Sequence, residues 1–79
     1  MRVTLKLFAS LGSYLPAGAR DNSIWLEAER GATPLSLMRE LSLPPGLCHL
    51  VLVNGRHEGA ETELAEGDVV AIWPPVAGG

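Results

Sequence analysis

The last seven residues of the chain, WPPVAGG, form its most chemically suggestive segment. Pro74 and Pro75 cannot donate the backbone hydrogen bonds of a β-sheet, so a strand that reaches Trp73 must end there. Consecutive prolines favour an extended backbone, which predicts that the final residues project from the body of the protein. Gly78 and Gly79 have no Cβ, so the walls of a partner protein can close tightly around them.

The reactive group of this segment is a carboxylate that we expect at Gly79. A carboxylate is unreactive until it is activated, and attack on the α-phosphate of ATP would convert it into an acyl-adenylate. The carbonyl of that adenylate accepts a sulfur or nitrogen nucleophile. The chain has no glycine-rich phosphate loop and no cluster of metal ligands. We therefore expect no metal site and no bound cofactor, and we expect a partner enzyme to supply the ATP.

Length, composition and charge restrict the class of protein. The 79 residues are enough for one domain, which would bury about 60–65% of its unfolded surface. The chain is 47% hydrophobic and 19% charged, which is typical of a folded protein. Its net charge is −3 and its Lys and Arg residues are scattered, which argues against nucleic-acid binding. One cysteine excludes an internal disulfide, and the apolar runs are too short for a membrane span. We expect a cytoplasmic protein.

Most of the remaining sequence predicts β-strands. Alternation of apolar and polar residues at the start of the chain is typical of a half-buried strand. Asn54-Gly55 is a strong signal for a hairpin turn. Alternating residues predict strands at 1–8 and 23–27, and apolar runs later in the chain predict strands at 49–56 and 68–73. The connection after the first strand is predicted to contain one helical turn around 10–14.

One segment predicts an α-helix. Thr33 is a suitable N-cap, and Pro34 suits the first helical position, where its missing N–H is not needed. We expect a helix of about ten residues that ends before Pro44, because proline cannot continue the helical ladder. Its apolar stripe, which would cover one face of a sheet, consists of Leu35, Leu37, Met38 and Leu41.

The order of these elements is strand, strand, helix, strand, short strand, strand. One helix on one face of a mixed sheet buries one apolar stripe against one apolar face. The sequence therefore predicts an α+β fold of the β-grasp, or ubiquitin-like, type with four to five strands. We expect the domain to span residues 1–73 and an extended tail to span residues 74–79.

A partner that handles the tail needs a surface on which to dock, and apolar side chains on the open face of the sheet would provide one. The candidates are Phe8, Trp25, Trp73 and either Val51 or Val53. The alternative is that one or two of them belong to the core. Trp73 is the candidate nearest to the tail.

The remaining chemistry-bearing side chains have simpler interpretations. Cys48 precedes an apolar strand, and a nucleophilic cysteine would need a nearby histidine base. Its neighbour His49 would point to the opposite face of the strand, so Cys48 is expected to be a buried structural residue. His49 and His57 are predicted to lie at the surface. A solvated turn, or an acidic contact for a basic enzyme surface, is predicted for Glu61, Glu63, Glu66 and Asp68, with Gly67 in an unusual backbone conformation.

The chain resembles the MoaD/ThiS family of ubiquitin-like sulfur carriers, and within it the small subunit of molybdopterin synthase. The segments that carry the resemblance are VTLKLFASLG, LVLVNGR, TELAEGDVVAIWPP and the terminal VAGG. The resemblance implies a carrier without catalytic residues of its own, which works through its C-terminal glycine.

In such a carrier an E1-like adenylyltransferase would adenylate Gly79 with ATP, and a sulfur donor enzyme would convert the adenylate into a thiocarboxylate. The large subunit of molybdopterin synthase, or an equivalent sulfur acceptor, would then bind the tail through Pro74, Pro75, Val76, Ala77 and Gly78. The double proline resembles the molybdopterin branch of the family.

Several alternatives remain open at this stage. Related carriers supply sulfur for thiamine, cysteine, tRNA thiolation or tungsten-pterin assembly. The same activated Gly79 would also serve a protein modifier that is attached to lysines. In a plain interaction module the tail would have no role.

Overall fold

The computed structural model describes residues 1–75, which form a mixed sheet with one α-helix on one face. The strands are β1 (Arg2–Leu7), β2 (Ser23–Glu27), β3 (Leu50–Val53), β4 (Arg56–His57) and β5 (Val69–Trp73), and the helix is α1 (Pro34–Glu40). Two 3-10 helices lie at Ala9–Tyr14 and Pro45–Leu47, of which the first was predicted and the second was not. The predicted α+β architecture is confirmed.

The strands follow the order β2-β1-β5-β3-β4 across the sheet, so β5 is the central strand. β1 and β5 run parallel, whereas the other neighbouring strands are antiparallel. A parallel pair requires a long connection, and the segment between β1 and β5 contains α1 and the other strands. The first and last strands of the described chain are therefore neighbours.

The core lies between the sheet and α1. Each central strand sends alternate side chains into it, and α1 contributes Leu37 and Met38. Burial of a side chain of this size stabilises the fold by about 1.5–3 kcal/mol. The strand residues that are almost completely buried are Val3, Leu5, Leu7, Val51, Val53, Val70 and Ile72.

The start of α1 matches the sequence prediction. Thr33 is the N-cap, and its Oγ1 accepts a hydrogen bond from the Ser36 backbone N–H at 3.1 Å. The Ser36 Oγ in turn accepts one from the Thr33 N–H at 2.9 Å. This reciprocal pair satisfies two backbone donors at the start of the helix, and Pro34 occupies the first helical position.

The end of α1 differs from the prediction. The helix has seven residues, and Ser42 adopts a left-handed conformation with φ of 57° before Pro44 is reached. The N–H groups of Ser42 and Leu43 donate to the carbonyls of Arg39 and Met38 at 3.1 and 2.8 Å. This is a Schellman cap, and the two buried side chains of Leu43 and Met38 accompany it. The helix therefore ends at this cap and not at the proline.

The predicted Asn54-Gly55 turn is present and fixes the start of β5. Both residues have positive φ angles, 54° and 80°, as a two-residue hairpin turn requires. The Asn54 Nδ2 donates to Asp68 Oδ1 at 2.8 Å, and its Oδ1 accepts from the Val69 N–H at 2.9 Å. The β3–β4 hairpin is thus tied to the first residue of the central strand.

Candidate functional site

The candidate site has two parts, the point where the chain leaves β5 and the face of the sheet that α1 does not cover. Trp73 is the last residue of β5, and Pro74 and Pro75 follow without regular structure. Pro74 is half-buried and Pro75 is exposed. The predicted tail residues Val76, Ala77, Gly78 and Gly79 lie outside the described residues.

The backbone around Trp73 is held from both sides. The His49 N–H donates to the Trp73 carbonyl at 2.9 Å, and the Phe8 N–H donates to the Ile72 carbonyl at 3.1 Å. These bonds continue the pairing of β5 with β3 and β1 to the end of the strand. The position at which the tail begins is therefore set by the centre of the sheet.

The sheet face opposite α1 is called the outer face below. Strand register assigns side chains to it, because paired residues of neighbouring strands lie on the same face. Trp73 pairs with Leu50, Ala71 pairs with both Leu52 and Lys6, and Val69 pairs with Thr4. The outer face comprises the apolar side chains of Phe8, Trp25, Leu50, Leu52, Val69, Ala71 and Trp73 and the polar side chains of Arg2, Thr4, Lys6, Ser23, Glu27 and His57.

Phe8 and Trp73 form the apolar centre of this face next to the tail. Their ring centroids are 4.4 Å apart and their planes differ by 6°, so the rings are stacked. Both side chains are half-buried. The prediction that these two aromatic residues share the face away from the helix agrees with this geometry, and their role in docking stays a prediction.

Trp25 lies on the same face at the edge strand β2. It is 67% exposed, the most exposed of the large apolar side chains described. The Arg2 guanidinium lies over its ring, 5.1 Å from the ring centroid. Such a cation–π contact is worth about 0.5–1 kcal/mol at an exposed site. Trp25 is thus available to a partner, but Thr4 and Lys6 of β1 lie between it and the centre of the sheet.

The expectation that Val51 or Val53 faces outward is wrong. Both are 7% exposed and belong to the core, since they pair with the buried Ile72 and Val70. Leu50 and Leu52 occupy the outer face instead. β3 is apolar at every position, so only its register with β5 decides which pair faces α1. Leu50 faces outward because it lies opposite Trp73, and only the structure shows this pairing.

Cys48 is half-buried rather than fully buried, and its thiol lies 3.6 Å from the Pro44 carbonyl oxygen. Partial burial raises the pKa of the Cys48 thiol, because the thiolate loses hydration. This is the opposite of the shift that a nucleophilic cysteine requires. His49 and His57 are exposed, as predicted.

The acidic stretch is a hydrogen-bonded turn. The Asp68 Oδ2 accepts from the Ala65 N–H at 2.8 Å, and the Glu66 Oε1 accepts from the Arg2 N–H at 3.0 Å. Gly67 has the predicted unusual conformation, with φ of 83°. Two of the four carboxylates therefore accept hydrogen bonds from backbone N–H groups. Glu61 and Glu63 are exposed and make no such bond in the part of the chain described.

Two further features concern the helices and the possible metal ligands of residues 1–75. None of their helices is long and apolar enough to cross a membrane. Within the same range no three His, Cys, Asp or Glu side chains are grouped so that they could hold a metal ion.

A mixed five-stranded sheet with one main helix places the chain among the β-grasp, ubiquitin-like proteins, as solved structures confirm. Residues 15–79 match the model of the ThiS family. Since this match covers most of the chain, the protein belongs to the ThiS family, and the resemblance to the MoaD/ThiS group is confirmed. A comparison with curated proteins found no match.

Three archaeal structures are similar over nearly their whole length. The HVO 2177 protein of Haloferax volcanii has a TM-score of 0.76 and 31% identity, with coverage of 100% of this chain and 87% of that protein. SAMP1 of the same organism has a TM-score of 0.73 and 25% identity, with both chains covered completely. A Pyrococcus furiosus protein assigned as molybdopterin converting factor, subunit 1, has a TM-score of 0.68 and 27% identity, with coverage of 95% of this chain and 98% of that protein.

A bacterial relative of this fold has been solved with a partner. That structure is a complex of subunits 1 and 2 of the molybdopterin-converting factor from Helicobacter pylori. The similarity to the present chain has a TM-score of 0.63 and 23% identity and covers both chains completely, which establishes a shared fold.

Proposed function

We propose that this protein is a sulfur carrier whose C-terminal Gly79 is adenylated, converted into a thiocarboxylate and used to donate sulfur for molybdopterin synthesis. The observation that carries the proposal is the exit of the chain from β5. The tail begins at the central strand, directly beside the stacked Phe8 and Trp73. A partner that covers this apolar centre is therefore in position to receive the tail.

The proposed chemistry takes place in two transfers. A carboxylate oxygen of Gly79 attacks the α-phosphorus of ATP, and pyrophosphate leaves. A sulfur nucleophile from a donor enzyme then attacks the Gly79 carbonyl, and AMP leaves with the pair of electrons of the acyl–oxygen bond. If the donor carries that sulfur as the outer atom of a persulfide, the product is an acyl disulfide. A thiol of the donor enzyme then attacks the donor's inner sulfur, forms a disulfide with it and releases the thiocarboxylate on Gly79. ATP and the catalytic groups belong to the E1-like adenylyltransferase and the sulfur donor enzyme.

The choice of molybdopterin as the destination rests on two kinds of support. The Pyrococcus furiosus and Helicobacter pylori proteins of similar fold bear the name of molybdopterin converting factor. The PPVAGG ending of this chain also resembles the molybdopterin branch of the family. In this proposal the large subunit of molybdopterin synthase docks on the outer face and takes up the tail.

The direct test measures the intact mass of the carrier after incubation with ATP, its E1-like enzyme and a sulfur donor. We expect a gain equal to the replacement of one oxygen atom by sulfur, and loss of that gain when a molybdopterin precursor and the large subunit are added. The matched control is the chain lacking Gly78 and Gly79, which should show no gain. An unchanged mass with an enzyme that adenylates the carrier would reject the proposal.

A protein modifier is the second candidate function. The observation in its favour is the similarity to SAMP1, whose solved structures are described as a small archaeal modifier protein. In that role the adenylated Gly79 would be transferred to an amine and would form an isopeptide bond. Mass spectrometry of cell digests distinguishes the two, since Gly-Gly remnants on the lysines of other proteins would favour the modifier.

A further inference from the structure

Lys6 is the single lysine of the 79-residue chain, and it lies in the interior of the outer face. In the sheet it pairs with Ser23 of β2 on one side and with Ala71 of β5 on the other. Phe8 follows two residues later on the same side of β1 and carries the aromatic stack. The side chain of Lys6 is half-buried. Its neighbours on this face are Thr4 and Ser23 on the side of β2 and Ala71 and Phe8 on the side of the aromatic stack, so the cation borders the apolar centre of the face.

No charged side chain of the described residues 1–75 neutralises Lys6. Arg2 and Glu27 also lie on the outer face, at the far end of β1 and β2, and they pair with each other at 3.5 Å. No acidic group of residues 1–75 lies within ion-pair distance of the Lys6 ammonium. His57, opposite Leu52, is the other titratable group on this face. The Lys6 charge therefore relies on solvent in the free protein.

We propose that Lys6 is a specificity-determining contact of the docking face and that the partner enzyme places an Asp or Glu carboxylate against it. The inference rests on the proposed function, in which the E1-like adenylyltransferase must bind the carrier to reach Gly79, and it takes the outer face beside the tail as the surface that this enzyme covers. When the apolar face is covered, the ammonium loses its water, and such a loss is costly unless an opposite charge replaces it. A facing carboxylate removes that cost.

The charge also gives the interface a defined orientation. Stacked rings and aliphatic side chains pack against many apolar surfaces, so they do little to select one partner or one register. A desolvated ion pair selects both, because an uncharged or basic group opposite Lys6 is penalised. The chain has a net charge of −3 and a single lysine, so an acidic group opposite Lys6 would be a distinctive feature of a matching enzyme surface.

The first test measures how tightly four carriers bind the adenylyltransferase that activates this chain. The Kd is determined for the wild type, Lys6→Arg, Lys6→Met and Lys6→Glu. We expect Lys6→Arg to bind within a few-fold of wild type, Lys6→Met about 10-fold more weakly and Lys6→Glu about 100-fold more weakly. Arg39→Glu is the control, since it changes net charge by the same amount at an exposed position of α1, away from the outer face. Equal Kd values for Lys6→Glu and Arg39→Glu would overturn the inference.

A second test uses the scarcity of amines. The chain has two primary amines, the Lys6 Nζ and the Met1 amine, which donates to the Ala28 carbonyl at 2.8 Å. Brief acetylation of the free carrier and of its enzyme complex should show Lys6 protected in the complex, with Met1 as the internal reference. Unchanged labelling of Lys6 would contradict docking at this position.

These outcomes separate the inference from the function on which it rests. If the wild-type chain is not adenylated by any E1-like enzyme of its own cell, the proposed function and the inference both fail. If it is adenylated while all Lys6 variants bind like wild type, only the inference fails. The partner group can be identified by replacing Asp or Glu residues of the enzyme with lysine. The residue whose replacement restores binding of Lys6→Glu is the one that faces Lys6.

Discussion

Phe8 and Trp73 are 65 residues apart in the chain, yet their rings are in parallel contact. The contact exists because β1 and β5 are adjacent, with Phe8 directly after β1 and Trp73 at the end of β5. Each ring alone would be an exposed aromatic side chain of ordinary kind. Together they form a flat apolar surface at the base of the tail.

We predict that Phe8→Ala and Trp73→Ala are coupled by about 0.5–1.5 kcal/mol in the free energy of unfolding, which is typical of an aromatic pair. Urea denaturation of the two single variants and the double variant measures this coupling. Trp25→Ala is the control. Since Trp25 is 67% exposed, its loss should change stability by no more than about 0.5–1 kcal/mol. Strictly additive effects of Phe8→Ala and Trp73→Ala would show that the stack does not stabilise the fold.

Cys48 offers a prediction on pH. Because burial raises the pKa of its thiol, the folded chain holds the proton at pH values where an unfolded chain has begun to lose it. The contribution of this group to stability is therefore greatest below the unfolded pKa and is lost as the pH rises through the folded one. Iodoacetamide alkylation of the folded protein should have its midpoint at a higher pH than alkylation in urea. Coinciding profiles would contradict the shift.

At the scale of elements, α1 shows how a short helix is stabilised at both ends. Its seven residues are fewer than an isolated helix needs in water, so capping and packing must hold it. Thr33 and Ser36 satisfy the N-terminal donors, and the Schellman cap satisfies carbonyls at the other end. Pro44 lies beyond this cap and precedes the 3-10 helix Pro45–Leu47, in which its carbonyl accepts from the Leu47 N–H at 3.0 Å.

Ser42 occupies the position of that cap at which glycine is usual. Its φ of 57° is strained for a residue with a Cβ, and the side chain is exposed. We therefore predict that Ser42→Gly stabilises the protein by about 0.5–1 kcal/mol, which is the relief of strain less the added entropy of the unfolded chain. Thermal unfolding should show a higher midpoint for Ser42→Gly and no increase for the control Ser42→Ala. A lower midpoint for Ser42→Gly would mean that the serine side chain matters.

For the whole molecule, the central place of β5 connects stability and function. Pairing with β1 and β3 on both sides makes this strand part of the folding core, and its last residue is also the first point of the tail. In the proposed function, a partner therefore meets a tail whose starting point is set by the pairing of the central strand. The predicted division into a domain at 1–73 and a tail at 74–79 follows the end of this strand.

This division predicts that removal of residues 76–79 leaves the fold unchanged. The truncated chain retains every described strand, so its thermal midpoint should lie within about 2 °C of the full chain. ATP–pyrophosphate exchange with the activating enzyme should be abolished. The control is the full chain extended by one alanine beyond Gly79, which should also fold normally and fail in exchange. A midpoint several degrees lower would place the tail within the cooperative unit.

The sequence by itself determined the strands and the start of the helix. Alternation of apolar residues identified β1 and β2, the Asn54-Gly55 pair identified the hairpin, and Thr33 with Pro34 identified the first turn of α1. These features depend on neighbours within a few residues, so local pattern and backbone preference are sufficient to reveal them. The chemistry expected at Gly79 is of the same kind, since it comes from residue types at the end of the chain.

Only the tertiary structure decided how these pieces meet. β3 reads LVLV, and nothing in four apolar residues says which two face the helix until the register with β5 is known. The end of α1 depended on a left-handed serine that propensities disfavour. The stack of Phe8 on Trp73 and the place of Lys6 beside Ala71 arise from the adjacency of β1 and β5. Such contacts join distant parts of the chain, and they form only when the buried core fixes the register of every strand.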